Sequence, residues 1–144
     1  MGKINMSRVL VGGIVAGIVL NILGYIVDGL LLAREWDEGF KALGLSNMSV
    51  GQIIWINLFN LLAGIFIVWI YAAIRPRFGP GMKTAIIAGL AVWAIGVFWP
   101  NIAIMWIAGL FHPNLTIHTT LGGIIECVAA ALAGGFLYRE PLSA

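Results

Sequence analysis

Charge is scarce in this chain. Asp, Glu, Lys and Arg make up 10% of its 144 residues, against about 25% in a soluble domain. Cysteine occurs once, at Cys127, which excludes an intramolecular disulfide and a paired-thiol redox centre. No nucleotide-binding loop, catalytic triad or carboxylate motif of established spacing is present. No stretch has the composition of a linker, so one unit spans residues 1–144.

Apolar residues fill the space, at 61% of the chain. A bilayer core of about 30 Å takes roughly 20 apolar residues in helix. Four runs qualify: Val9–Ala33, Val50–Ile74, Thr84–Phe111 and Thr119–Tyr138. Each must satisfy its own backbone hydrogen bonds in lipid, so each is helical. The expected fold is all-α, a bundle of four transmembrane helices. The first run is too long for a signal-peptide apolar region and no Ala-x-Ala site follows it, so it reads as a retained helix.

Local chemistry suggests the boundaries. Ser49-Val-Gly-Gln52 has the form of a capping box for the second span. Arg75-Pro76 is expected to close that span and Pro141 the fourth, because proline cannot continue the hydrogen-bond ladder. Thr119 and Thr120 are candidate caps for the fourth. Between the first two spans, Trp36, Phe40 and Leu43 recur at helical spacing among Glu35, Asp37, Glu38 and Lys41. That pattern predicts a short amphipathic helix on the outer membrane surface; the alternative is a partner-docking loop.

Lys3, Arg8, Arg75, Arg77, Lys83 and Arg139 fall on one side of the spans, and only Arg34 and Lys41 on the other. The positive-inside rule then puts both termini in the cytoplasm. The pI of 9.0 would suggest nucleic acid in a soluble chain. Here the net charge is only +2 and topology accounts for it, so no nucleic acid is expected.

Shifting the first span by 72 residues lays Ala16-Gly17 and Gly24 on Ala88-Gly89 and Gly96. Shifting the second by 71 lays Leu61 and Gly64 on Leu132 and Gly135. These matches point to a parallel two-plus-two helix repeat; chance similarity of apolar runs is the alternative.

At 100° per residue, Gly17, Asn21, Gly24, Tyr25 and Asp28 share a face of the first span, and Asn57, Asn60 and Gly64 share one on the second. Glu126 lies among Gly122, Ala130 and Ala133 on the fourth. Small residues let helices approach, and polar side chains beside them bond across the contact. These faces are therefore expected to point inward, with Asn101, next to Pro100, joining them from the third span. By helical rise Glu126 would lie roughly 10 Å below the start of the fourth span. An ionisable group at such depth costs about 2.5–3.5 kcal/mol, so Glu126 is expected to be neutral or paired with the asparagines or Tyr25.

The plainer reading of this patch is a set of interhelical hydrogen bonds fixing one packing. The functional reading is an outward-opening pocket for a proton, cation or polar ligand, with Glu126, Asp28, Asn57, Asn60, Asn101, Tyr25 and Asn21 as its residues. His112 and His118 flank the turn HPNLTIH and are weak metal candidates, lacking a ligand spacing such as HxxxH. No cofactor is expected.

The segment YAAIRPRFGPGMKTA, Tyr71–Ala85, resembles a family of small bacterial four-helix membrane proteins, uncharacterised as to activity. The opening MSRVLVGGIVAGIVLNI and the closing LYREP look similar too. The resemblance implies a bacterial inner-membrane protein and carries no functional residues across. The leading expectation is a non-catalytic membrane protein acting by packing, with the lipid bilayer and further copies of itself or other membrane subunits as partners. A proton- or cation-coupled carrier of a small polar solute is the second. A lipid-directed enzyme with Glu126 as base is the third, and it lacks a recognisable nucleophile.

Overall fold

A computed structural model describes residues 4–139. Among them four long helices stand together: α1 (Met6–Leu31), α3 (Val50–Phe78), α4 (Met82–Ile107) and α5 (Pro113–Leu137). A short helix, α2 (Ala33–Ala42), joins the first two, and no strand occurs among the described residues. The protein is an all-α bundle whose four long helices are each long and apolar enough to cross a membrane.

The helix ends follow from a few side chains. Asn5 caps α1, its Oδ1 accepting from the Arg8 amide at 3.3 Å. At α3 the capping box forms as expected: Ser49 Oγ accepts from the Gln52 amide at 3.3 Å, and Gln52 Oε1 accepts from the Ser49 amide at 2.8 Å. Pro76, however, does not end α3. The helix runs through it to Phe78 and stops at Gly79, whose φ of 81° is left-handed. A proline this near the helix end forfeits a single ladder bond, and the glycine supplies the stronger stop.

α5 also differs from expectation, starting at Pro113 and not at Thr119. Proline's fixed φ suits the first helical position, and His112 Nδ1 accepts from the Asn114 amide at 3.3 Å. Thr119 and Thr120 are thus mid-helix, donating to the carbonyls of Leu115 and Thr116 at 2.8 and 2.6 Å. Pro141 lies outside the described residues. Pro100 sits between two π-helical stretches of α4, Ala94–Phe98 and Asn101–Ile107. A π turn bonds each carbonyl to the N–H five residues on, which passes over a proline at the fourth. The last part of α1, Tyr25–Leu31, is π-helical as well.

Glycine sets how closely the helices meet. A Cβ on Gly64 of α3 would overlap the backbone of Gly13 and Gly17 on α1. One on Gly12 would come within 2.6 Å of the Gly134 carbonyl on α5, and one on Gly89 of α4 within 2.7 Å of the Cys127 carbonyl. α5 therefore offers two small-residue edges, one to α1 and one to α4. Bare backbone contact of this kind gains dispersion and costs no side-chain entropy, which is what drives helix association in lipid.

The core lies towards the end of the bundle where α1 begins and α5 finishes. It is built on Ala16, Ile67, Val68, Ala88, Ala130 and Ala131. The opposite end is looser: every residue of α3 from Val50 to Phe59 is exposed. There a second, small cluster of Leu32, Met105 and Leu115 packs with Trp36 and Phe111 beneath α2. α2 thus turns its aromatic face onto the bundle, with the Trp36 and Phe111 rings edge-on at 5.4 Å.

The contacts follow the internal shift only in part, since Gly89 also lies against Cys127 and Val128, the counterparts of Ile56 and Asn57. Gly17 meets Asn60 and Leu61, and its counterpart Gly89 meets Ala131, the counterpart of Asn60. Gly64 meets Gly13, and Gly135 meets Ala85 in the corresponding place. α1 packs on α3 and α5, α4 packs on α5 and α3, and α1 and α4 scarcely meet.

Gly64→Leu tests the close contact. It should cost about 3 kcal/mol or more in detergent unfolding, whereas Gly51→Ala, whose new Cβ meets only Ser49 Oγ at 3.9 Å, should change stability by less than about 1 kcal/mol. Equal unfolding midpoints for the two variants would contradict the packing described.

Candidate functional site: a carboxylate in the seam between two helices

Asn21, Gly24 and Asp28 follow one another along α1 at intervals that bring them near one side of the helix. Asn21 faces α3. Its Nδ2 donates to the Asn57 carbonyl at 3.2 Å and its Oδ1 accepts from Asn60 Nδ2 at 2.9 Å. The Asn57 side chain turns back on its own helix, donating to the Ile53 carbonyl at 2.7 Å. These asparagines tie α1 to α3, an interaction worth about 0.6–2 kcal/mol in a membrane.

Asp28 bonds elsewhere. Its Oδ1 accepts from Trp36 Nε1 at 3.1 Å, which pins α2 to the end of α1. A buried indole N–H needs an acceptor, and this one has found a carboxylate. His118 on α5 adds a second tie, its Nδ1 lying 3.0 Å from Glu35 Oε1. The far face of α2 carries two exposed pairs, Arg34 with Glu38 and Lys41 with Asp37. The hydrogen bond from Lys41 holds the Asp37 carboxyl below the usual carboxylate range. Exposed pairs of this sort contribute little to stability.

Asn101 belongs to a different contact. Its Nδ2 donates to Thr119 Oγ1 at 3.1 Å and Thr120 Oγ1 at 2.9 Å, joining α4 to α5. Nearby, Trp93 Nε1 donates to the Thr120 carbonyl at 2.9 Å. Tyr25 leaves the patch altogether: it is 65% exposed and its ring lies over Gly29. The expected pairing of Glu126 with Tyr25 or the asparagines does not form. Tyr25 begins the π-helical stretch, where a 100° step per residue no longer holds.

Glu126 stands apart from all of these bonds. It is half-buried in the seam between α5 and α1, with Oε2 3.8 Å from the place a Cβ on Gly24 would take. Gly122, one turn back on α5, lies beside Oε1, and the place its Cβ would take is filled by Val27 Cγ1 of α1. Among the described residues neither oxygen has a hydrogen-bond partner. The residue lies thirteen positions after Pro113 and eleven before Leu137. That is about 20 Å into the helix, deeper than the sequence implied because α5 begins six residues earlier.

His112 and His118 have other occupations, as cap and as hydrogen-bond partner of Glu35, and the described residues hold no cluster of three His, Cys, Asp or Glu side chains suited to a metal. Cys127 is buried on the edge of α5 that meets α4. Glu126 is equipped to accept hydrogen bonds or to carry a proton or cation. Comparison with family models, curated proteins and solved structures finds no match to this chain.

The sequence missed Trp36 as the partner of Asp28, although an indole on an amphipathic face one helix away was the available signal. Trp36→Phe should remove that tie and leave Asp28 Oδ1 without its donor. A loss of about 1–2 kcal/mol, seen as roughly tenfold faster hydrogen exchange across α2, is expected. Unchanged exchange would mean that α2 is held by its ring contacts alone.

Proposed function

We propose that this is a non-catalytic membrane protein that acts by helix packing, either with further copies of itself or as a small subunit of a larger membrane complex. The observation that carries this reading is Glu126. A carboxyl group near the middle of a span, with no hydrogen-bond partner among the described residues, costs a few kcal/mol unless something supplies a hydrogen bond or a proton. A neighbouring helix can supply it. The exposed first ten residues of α3, with Trp55, Asn57 and Phe59, offer further surface for such a neighbour.

We further infer a bacterial inner-membrane location with both termini in the cytoplasm. Its support is the bias of charge: Arg8, Arg75, Arg77, Lys83 and Arg139 at one end against Arg34 and Lys41 at the other. The second reading, a proton- or cation-coupled carrier of a small polar solute, draws on the same carboxylate. Glu126 is not sealed by hydrogen bonds, and Asn21 and Asp28 lie a turn to either side of its neighbour Gly24 on α1.

Two substitutions separate these readings. Glutamine keeps the ability to hydrogen-bond and loses the titratable proton, whereas leucine loses both. Gentle extraction from native membranes should yield a particle of more than one chain. That particle should survive Glu126→Gln and dissociate about tenfold more readily with Glu126→Leu. A single-chain particle from native membranes would overturn the packing reading. Proton uptake into liposomes by the native protein, abolished by glutamine and leucine alike, would favour the carrier.

A further inference from the structure

Two adjacent side chains of α2 reach different helices. Trp36 donates to Asp28 at the end of α1, and Glu35 receives His118 of α5. α1 and α5 are the helices that flank Glu126, so α2 lies as a strap across the near end of their seam. The strap has a bend at each end. Leu32, with φ of −103° and ψ of 7°, breaks the helix between α1 and α2. Gly44, at φ of 69°, follows the last turn of α2 and leads into a non-helical link over residues 45–49.

Apolar contact seats the strap at any pH. The rings of Trp36, Phe40 and Phe111 meet pairwise at 5.4 to 6.1 Å, and a Cβ on Gly39 would come within 2.7 Å of Phe111. Glu35 adds the part that titrates. Its two oxygens lie 3.0 and 3.1 Å from His118 Nδ1, which donates to them because a carboxylate only accepts. The Glu35 and His118 side chains are 33% and 48% exposed, and Glu35 borders a half-open cavity of about 460 Å³, so water and protons reach the pair. The other titratable groups near α2 are engaged elsewhere or distant. On α2 itself Arg34 pairs with Glu38 and Lys41 with Asp37, Asp28 of α1 takes the Trp36 indole, and His112 caps α5 through Nδ1. Tyr25 stands exposed on α1, and Glu126 and Cys127 lie about 12 Å or more further along α5 by helical rise. α3 and α4 carry theirs, Tyr71, Arg75, Arg77 and Lys83, at the other end of the bundle.

We propose that α2 is a pH-responsive strap, tightened across the seam by a proton on His118 and loosened on its α5 side when that proton leaves, while Trp36 keeps it hinged on α1. Histidine changes charge between about pH 5 and 8. As pH falls through that range, a cation forms against the Glu35 carboxylate, the hydrogen bond becomes charge-assisted on both sides, and closure is favoured. As pH rises through it, a neutral ring is left on the carboxylate and α2 opens more often. At acidities that protonate carboxylates the clasp is lost again. A partly exposed pair adds only a modest factor, so the open population shifts a few-fold while the ring contacts keep α2 in place. The strap acts through α2 alone and is independent of which reading of Glu126 holds.

Hydrogen exchange of the full-length protein in nanodiscs, expressed as protection factors so that the intrinsic pH dependence of exchange is removed, reads the strap directly. Protection over residues 36–42 should be about threefold higher at about pH 5.5 than at about pH 7.5. Val68 and Ala130, in the core at the other end, should show no such change. His118→Gln keeps a donor and cannot take up a proton, so it should hold α2 at its higher-pH protection throughout. Glu35→Gln should do the same, and combining the two should add nothing further. Asp28→Asn, and His112→Asn, which can still cap α5, should leave the pH dependence intact. Equal protection of α2 at the two pH values in the native protein would overturn the proposal. So would a pH dependence that survives His118→Gln, and its disappearance with Asp28→Asn or His112→Asn would then place the titration at that residue.

Discussion

Everything in this fold hangs on how closely α1 can approach its two neighbours. Between Gly13, Gly17 and Gly64 the backbones of α1 and α3 touch, and between Gly12 and Gly134 those of α1 and α5 do. In lipid, apolar side chains gain little by leaving the bilayer for a helix interface, so close-packed backbone is the interaction available. These contacts lie towards the end where the chain enters α1 and leaves α5, and the core gathers there. Away from them α3 parts from the bundle, and polar groups take over the joining: Asn21 with Asn60, Asn101 with Thr119 and Thr120, Asp28 with Trp36.

Those polar bonds share a logic. Asn21, Asn60, Trp93 and Asn101 each donate across to a different helix, and each such pair fixes the rotation of one helix against another. Asn21 fixes α1 on α3, Asn101 fixes α4 on α5, and Asp28 fixes α2 on α1. Glu126 stands outside these pairs: Gly24 leaves space beside it, and among the described residues no donor fills that space.

The four spans were legible because runs of about 20 apolar residues admit one structure in lipid. So was the cap at Ser49, whose partner lies three residues away. What depends on tertiary register was not. The wheel put Asn21, Asn57 and Asn60 on facing surfaces, but which amide meets which carbonyl depends on the offset between antiparallel helices, a quantity no single helix encodes. Tyr25 was misplaced because π-helical turns upset the wheel. The start of α5 was missed because His-Pro-Asn reads equally as a turn and as a cap followed by proline at the first helical position. The apolar face of α2 was visible, yet Trp36 and Phe40 suit a membrane surface and a protein surface alike.

The central claim, that the Glu126 carboxyl finds no hydrogen-bond partner among the described residues, can be read from its carbonyl stretching band. Isotope-edited infrared difference spectra of native protein against Glu126→Gln would be compared between nanodiscs holding one chain each and the assembly extracted from membranes. This account predicts a band that shifts between the two samples, because only the assembly supplies a donor. A band at the same position in both would mean that the carboxyl is already satisfied inside a single chain, and would contradict it.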